Sequence, residues 1–122
     1  MMNKILIVED VEFNLELLIQ LLEDDYELVI ARDGANGVKM AAQEKPDLIL
    51  MDMSLPVLDG WAATRAIKAD QNLRHIPVIG LSEHAMNGDQ QKALAAGCND
   101  YLTKPLNENL LAEKMRFFLK VD

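Results

Sequence analysis

Five residues of this 122-residue chain could do chemistry together. Glu9 and Asp10 follow the apolar run Ile5-Leu6-Ile7-Val8. Asp52 closes the run Leu48 to Met51, Ser82 closes Val78 to Leu81, and Lys104 follows Tyr101-Leu102-Thr103. Three carboxylates, a hydroxyl and an ammonium thus each stand just after a short apolar segment. Taken singly, an acidic residue in a wet loop needs no function. Asp52 resists that explanation, because it ends the most apolar run, where desolvation makes an unpaired charge expensive. Two carboxylates ~4 Å apart repel by roughly 4 kcal/mol at an effective dielectric of about 20. Such a set either holds protons or is relieved by a cation. Oxygen-only donors select a hard ion, and Mg2+ commonly takes one or two carboxylates, waters and a substrate phosphate. Beside that ion a carboxylate can attack phosphorus and form an aspartyl phosphate. Lys104 would supply a point charge and Ser82 a hydroxyl to the transferring group.

The elements between these residues must bring them to one place. The four apolar runs Ile5–Val8, Leu28–Ala31, Leu48–Met51 and Val78–Leu81 are too short for buried helices. They show no in/out alternation, as expected of strands covered on both faces of a parallel sheet. Tyr101-Leu102 is a weaker fifth. A first helix from about Phe13 to Glu23 carries Leu17, Leu18, Leu21 and Leu22 as its apolar stripe. Asp33-Gly34 opens a second helix that must stop before Pro46, and Asp59-Gly60 opens a third. Asn87 is placed to cap a fourth helix ending at Gly97. Asn107 caps a fifth, with Leu106 and Leu111 set for a hydrophobic staple. Its stripe is Leu110, Leu111, Met115, Phe118 and Leu119.

Strand and helix alternating five times imply an α/β domain over residues 1–122, with right-handed crossovers and helices on both faces of the sheet. Five strands suggest the doubly wound, flavodoxin-like order 2-1-3-4-5. Its ligands sit at the carboxyl ends of the strands, beside the switch point between the first and third. The five chemical residues all fall on that rim.

Composition narrows the function classes. Hydrophobic residues at 50% and charged residues at 26% exclude disorder. No apolar run approaches the ~18 residues of a membrane span. Ile5–Val8 is too short for a signal peptide and runs directly into acids. The single Cys98 cannot form an internal disulfide, which suits a reducing cytoplasm. Twelve basic against twenty acidic residues, a net charge of −8, argue against nucleic acid as a partner.

Taken together, Glu9-Asp10, Met51-Asp52-Met53-Ser54-Leu55-Pro56 with Asp59-Gly60, Ser82 and Lys104-Pro105 resemble the receiver domain of two-component response regulators. Single-domain receivers of the chemotaxis and cell-cycle type are nearest in style. The spacings, 42 residues from Asp10 to Asp52, 30 to Ser82 and 22 to Lys104, are similar to that family's, and the likeness covers the whole chain. It implies that Asp52 accepts a phosphoryl group from a histidine kinase or histidine phosphotransfer protein. By the same resemblance Asp10, Asp52 and the Met53 carbonyl would ligate Mg2+, with Glu9 acting through a bound water. Ser82 and Lys104 would hold phosphoryl oxygens, Tyr101 would be the aromatic switch, and the Lys104–Pro105 peptide would be cis. No turnover is implied beyond self-phosphorylation and autodephosphorylation, so output passes through a downstream protein partner. The start Met1-Met2-Asn3-Lys4 favours a stand-alone receiver over an excised one.

Three departures stand out. Glu83 occupies a position that is usually Ala or Gly in the family, and a long anionic side chain there should repel a phosphoryl group or fold away. His84 and Ser54 occupy the positions that gate the attacking water. His84 either tunes the phosphoryl lifetime or is an exposed loop histidine. Val11 replaces a commonly polar residue. Glu83 also makes a second reading thinkable, a degenerate receiver that works as a phosphorylation-independent interaction module. An aspartyl-nucleophile phosphohydrolase of the haloacid dehalogenase-like group is disfavoured, because Ser54 stands where a second Asp is needed. An FMN carrier is disfavoured because Glu9-Asp10 would repel the cofactor phosphate.

Overall fold

The structure, a computed structural model, describes residues 2–83 and 89–119. Along the chain lie β1 (Lys4–Val8), α1 (Glu12–Leu22), β2 (Glu27–Ala31), α2 (Gly34–Glu44), β3 (Leu48–Asp52), α3 (Gly60–Ala69), β4 (Val78–Ser82), α4 (Asp89–Ala96), β5 (Asp100–Thr103) and α5 (Glu108–Leu119). The strands pair in parallel in the order β2-β1-β3-β4-β5. This is the doubly wound arrangement that the alternating pattern predicts. Among the described residues no helix is long and apolar enough to cross a membrane.

The two-residue period of each strand builds two cores. Leu6, Val8, Ile49, Met51 and Val78 face α2, α3 and α4, where Ala41, Ala63, Ile67 and Ala93 meet them. Ile5, Ile7, Leu48, Leu50, Ile79 and Leu81 face α1 and α5, where Leu15, Leu18, Leu22, Leu111 and Met115 close the other side. β3 and β4 are buried throughout, which is why their runs show no alternation.

The helix starts follow the expected chemistry. Asp33 Oδ1 accepts from Asn36 N at 2.7 Å, Asp59 Oδ1 from Ala62 N at 2.9 Å, and Asn107 Oδ1 from Leu110 N at 3.0 Å. α2 ends at Glu44, with Lys45 in the left-handed region just before Pro46. Gly97 terminates α4 at φ 110°. The proposed cap Asn87 lies outside the described residues.

α1 departs from expectation in one respect. Its core stripe is Leu15, Leu18 and Leu22, whereas Leu17 is 46% exposed and Leu21 is half-buried. Leu17 and Leu18 lie ~100° apart around the helix, and a helix laid on a flat sheet buries one narrow line. Leu17 and Phe13, four residues apart, therefore form an outer stripe. Leu110 likewise sits outside the buried line of α5, which is Leu111 and Met115. Trp61 packs half-buried against the core on the α3 side, and Cys98 is buried with its thiol 3.8 Å from the Thr64 hydroxyl.

The cap at Asp59 offers a stability test. Asp59→Ala removes the acceptor for Ala62 N and should cost about 1 kcal/mol. Urea unfolding should show a lower midpoint at unchanged slope. A wild-type midpoint would mean that the cap contributes nothing net.

Candidate functional site

The carboxyl ends of β1, β3, β4 and β5 assemble the site. β1 pairs with β3 through Val8↔Met51, so the residues after Val8 fall beside Asp52. Glu9 is held there by its own N–H, which donates to Ala31 O at 3.0 Å and prolongs the ladder to β2. One carboxylate oxygen from each of Glu9, Asp10 and Asp52 lies within 4.8 Å of the others. Glu9 and Asp52 are buried, and Asp10 is exposed. Ser82 is buried at the end of β4, one residue beyond the Asp52↔Leu81 pair. Lys104 N donates to Ser82 O at 2.7 Å, which continues the β4–β5 ladder and aims the lysine inward. Its Nζ stands 2.8 Å from Glu9 Oε1 and 3.6 Å from Asp52 Oδ1. The Lys104–Pro105 peptide is cis.

The β3–α3 loop is clamped by close backbone approach. A Cβ on Gly60 would lie 2.2 Å from Asp52 O, and one on Gly34 would lie 1.6 Å from Leu58 O. Only glycine fits at either place. Within the loop Leu58 N donates to Pro56 O at 2.7 Å across Val57, whose φ is 69° and whose side chain is 85% exposed. This is a γ-turn of positive φ, strained for a β-branched residue. Ser54 N donates to Asp52 Oδ1 at 3.1 Å, and Gly60 N donates to Met53 O at 3.1 Å.

Electrostatics single out Glu9. Burial raises its pKa from 4.5 to about 7, helped by a hydrogen bond with Asp52 and opposed by Lys104. Burial beside a second carboxylate disfavours the charged form of Glu9, and the Lys104 ammonium offsets part of that cost. The donor set is all hard oxygen, and Asp10 opens it to solvent waters. The Met53 carbonyl keeps one lone pair free beyond its bond to Gly60. These residues fit a small divalent cation of the Mg2+ type.

The structure brings Glu9, Asp10, Asp52 and Lys104 together, with Lys104 closest to Glu9 and not to Asp52, and places Ser82 on the neighbouring strand end of the same rim. Ser54 and Glu83 are exposed at the rim. Tyr101 is buried, with its ring edge 3.5 Å from where a Gly80 Cβ would sit. His84 lies outside the described residues. Sequence reasoning missed a groove of about 730 Å³ beside the site, lined by Glu9, Phe13, Leu17, Glu83, Lys104 and Leu106 among others. Its signal was the four-residue spacing of Phe13 and Leu17.

The sequence model of the response regulator receiver domain matches residues 5–116. Polar-differentiation response regulators DivK of Brucella anthropi and Brucella ovis are 38% identical over 120 residues, covering 98% of this chain and of each relative. The receiver domain of sensor histidine kinase PA1611 from Pseudomonas aeruginosa superposes with a TM-score of 0.92 at 38% identity. That match covers 99% of this chain and 100% of the other, whose structure holds a magnesium ion in its active-site cleft. The Saccharomyces cerevisiae complex of the histidine phosphotransfer protein Ypd1 with the receiver domain of Ssk1 matches with a TM-score of 0.87 at 30% identity, over 97% of this chain and 90% of that one.

The raised pKa of Glu9 has a sign that can be checked. A carboxyl with a raised folded-state pKa contributes stability that is complete below pH ~4.5 and lost as pH rises through about 7. In EDTA, the difference in unfolding free energy between wild type and Glu9→Gln should shift by on the order of 3 kcal/mol across this window, to the detriment of wild type. A pH-independent difference would refute the assignment.

Proposed function

The chain belongs to the response regulator receiver domain family, and from that premise we propose that it is a cytoplasmic, phosphorylation-controlled interaction switch with Asp52 as acceptor. The observation that carries this reading is the meeting of Glu9, Asp10 and Asp52 oxygens within 4.8 Å, with the Lys104 ammonium 3.6 Å from Asp52. Asp52 would attack the phosphorus of a phosphohistidine on a histidine kinase or phosphotransfer protein. The Asp52 O–P bond forms as the N–P bond breaks, and the imidazole nitrogen keeps the electron pair and takes a proton from solvent. Asp10, Asp52 and the Met53 carbonyl would hold Mg2+, with Glu9 acting through a water. When bound, the ion neutralises charge on the transferring oxygens.

Lys104 must exchange its bond to Glu9 for a phosphoryl oxygen, and the Ser82 hydroxyl takes another. Ser54, exposed at the rim, would gate the hydrolytic water. Tyr101 is buried, and phosphorylation would bias its position through Ser82. The readout surface is α4–β5–α5, where Leu94, Leu110 and Phe117 are exposed. The donor protein seats along the groove beside α1, on Phe13 and Leu17.

Three measurements test this. Mg2+ should raise the melting temperature with millimolar-range affinity, and Asp10→Ala should abolish the response. A titration unchanged by Asp10→Ala would place the metal elsewhere. Phosphoryl incorporation from a panel of histidine kinases should be lost in Asp52→Ala. Partner affinity should change roughly 5- to 150-fold on phosphorylation, and less in Ser82→Ala. Incorporation surviving in Asp52→Ala would exclude it as acceptor.

A further inference from the structure

We propose that Glu83 is a specificity-determining residue that turns away small anionic phosphodonors while leaving the site open to protein donors. The inference rests on the receiver reading above and deepens it. Glu83 directly follows Ser82 at the end of β4, and Lys104 N grips the Ser82 carbonyl at 2.7 Å, so its backbone is anchored at the site. Its side chain is exposed and lines the same groove as Glu9 and Lys104. Among the described residues lining that groove, Glu9, Glu83 and Glu108 face a single cation, Lys104. That cation is already engaged with Glu9 and Asp52. No ion pair of Glu83 is formed among the described residues. Glu83 shares the groove with Lys104, whose ammonium stands 3.6 Å from Asp52, so an anion drawn to Lys104 by way of the groove passes the Glu83 carboxylate.

A cleft with three carboxyls and one ammonium on its walls disfavours the entry of anionic solutes. A small donor such as acetyl phosphate has no other contacts to compensate. In its reaction Asp52 bonds to phosphorus, the P–O bond to the acetyl group breaks, and acetate leaves with the electron pair. A protein donor meets the same charge differently. It can bury apolar surface on Phe13 and Leu17, which are 69% and 46% exposed and line the groove from α1. A Lys or Arg on its surface can also turn Glu83 from a repulsive group into an attractive one.

The test compares wild type, Glu83→Gln, Glu83→Lys and Asp52→Ala at saturating Mg2+, with acetyl phosphate as donor and phosphoprotein counted by mass spectrometry. Glu83→Gln should be phosphorylated at least about tenfold faster than wild type at low salt, and Glu83→Lys faster still. The ratio should collapse near 1 M salt, where the Debye length is about 3 Å. It should also be smaller for the less charged donor phosphoramidate at pH 7. An equilibrium readout accompanies the rates: the beryllofluoride anion, titrated against the fluorescence of the single Trp61, should bind several-fold more tightly to Glu83→Gln. Equal rates and affinities in wild type and both Glu83 variants would overturn the inference while leaving the receiver reading intact. A gain that ignores salt and donor charge would do the same. Failure of every variant to take up phosphoryl or beryllofluoride would remove the receiver reading, and the inference with it.

Discussion

A buried carboxyl held between a second carboxyl and an ammonium is the constraint on which this molecule turns. Glu9 has no solvent exposure, touches Lys104 at 2.8 Å and has a carboxylate oxygen within 4.8 Å of one of Asp52. A lone carboxylate in that place would cost several kcal/mol. The arrangement holds only if Lys104 arrives from the far side of the sheet, and Lys104 arrives only if β5 pairs with β4 in the register Ser82↔Thr103. Asp52 in turn stands where it does because α3 closes to within contact of its backbone at Gly60. Site and sheet are therefore one cooperative object: slipping any of these strands would leave a buried charge unpaired.

The β3–α3 loop shows how the fold tolerates local cost near its chemistry. Val57 adopts a conformation that β-branched residues rarely take, and it survives because its surroundings over-determine it. Gly34 admits the Leu58 carbonyl on one side, Gly60 packs on Asp52 and Met53 on the other, and Asp59 caps the helix that follows. The result is a loop held on both sides, with Asp52 Oδ1 accepting from Ser54 N at its start.

α1 serves two masters. Leu15, Leu18 and Leu22 hold it on the sheet, while Phe13 and Leu17 present a second apolar line to the groove beside the acceptor. Exposed apolar groups bordering a strongly acidic cleft combine attraction for a folded partner with repulsion of small anions.

Much of this was legible in the linear chain. Strand runs, helix caps at Asp33, Asp59 and Asn107, the Gly97 stop and the order 2-1-3-4-5 follow from steric and hydrogen-bonding rules that act over a few residues, together with the handedness of crossovers. The convergence of Glu9, Asp10, Asp52, Ser82 and Lys104 followed too, because parallel strands carry their carboxyl ends to one rim. What the sequence could not disclose depends on distances between segments far apart in the chain. That Lys104 prefers Glu9 to Asp52, that Glu9 carries a raised pKa, that Leu17 faces outward while Leu18 faces in, and that Tyr101 is buried were each decided by tertiary packing. Local preference chooses among backbone shapes. Only the assembled sheet determines which charges are taken out of water, and which partners they find there.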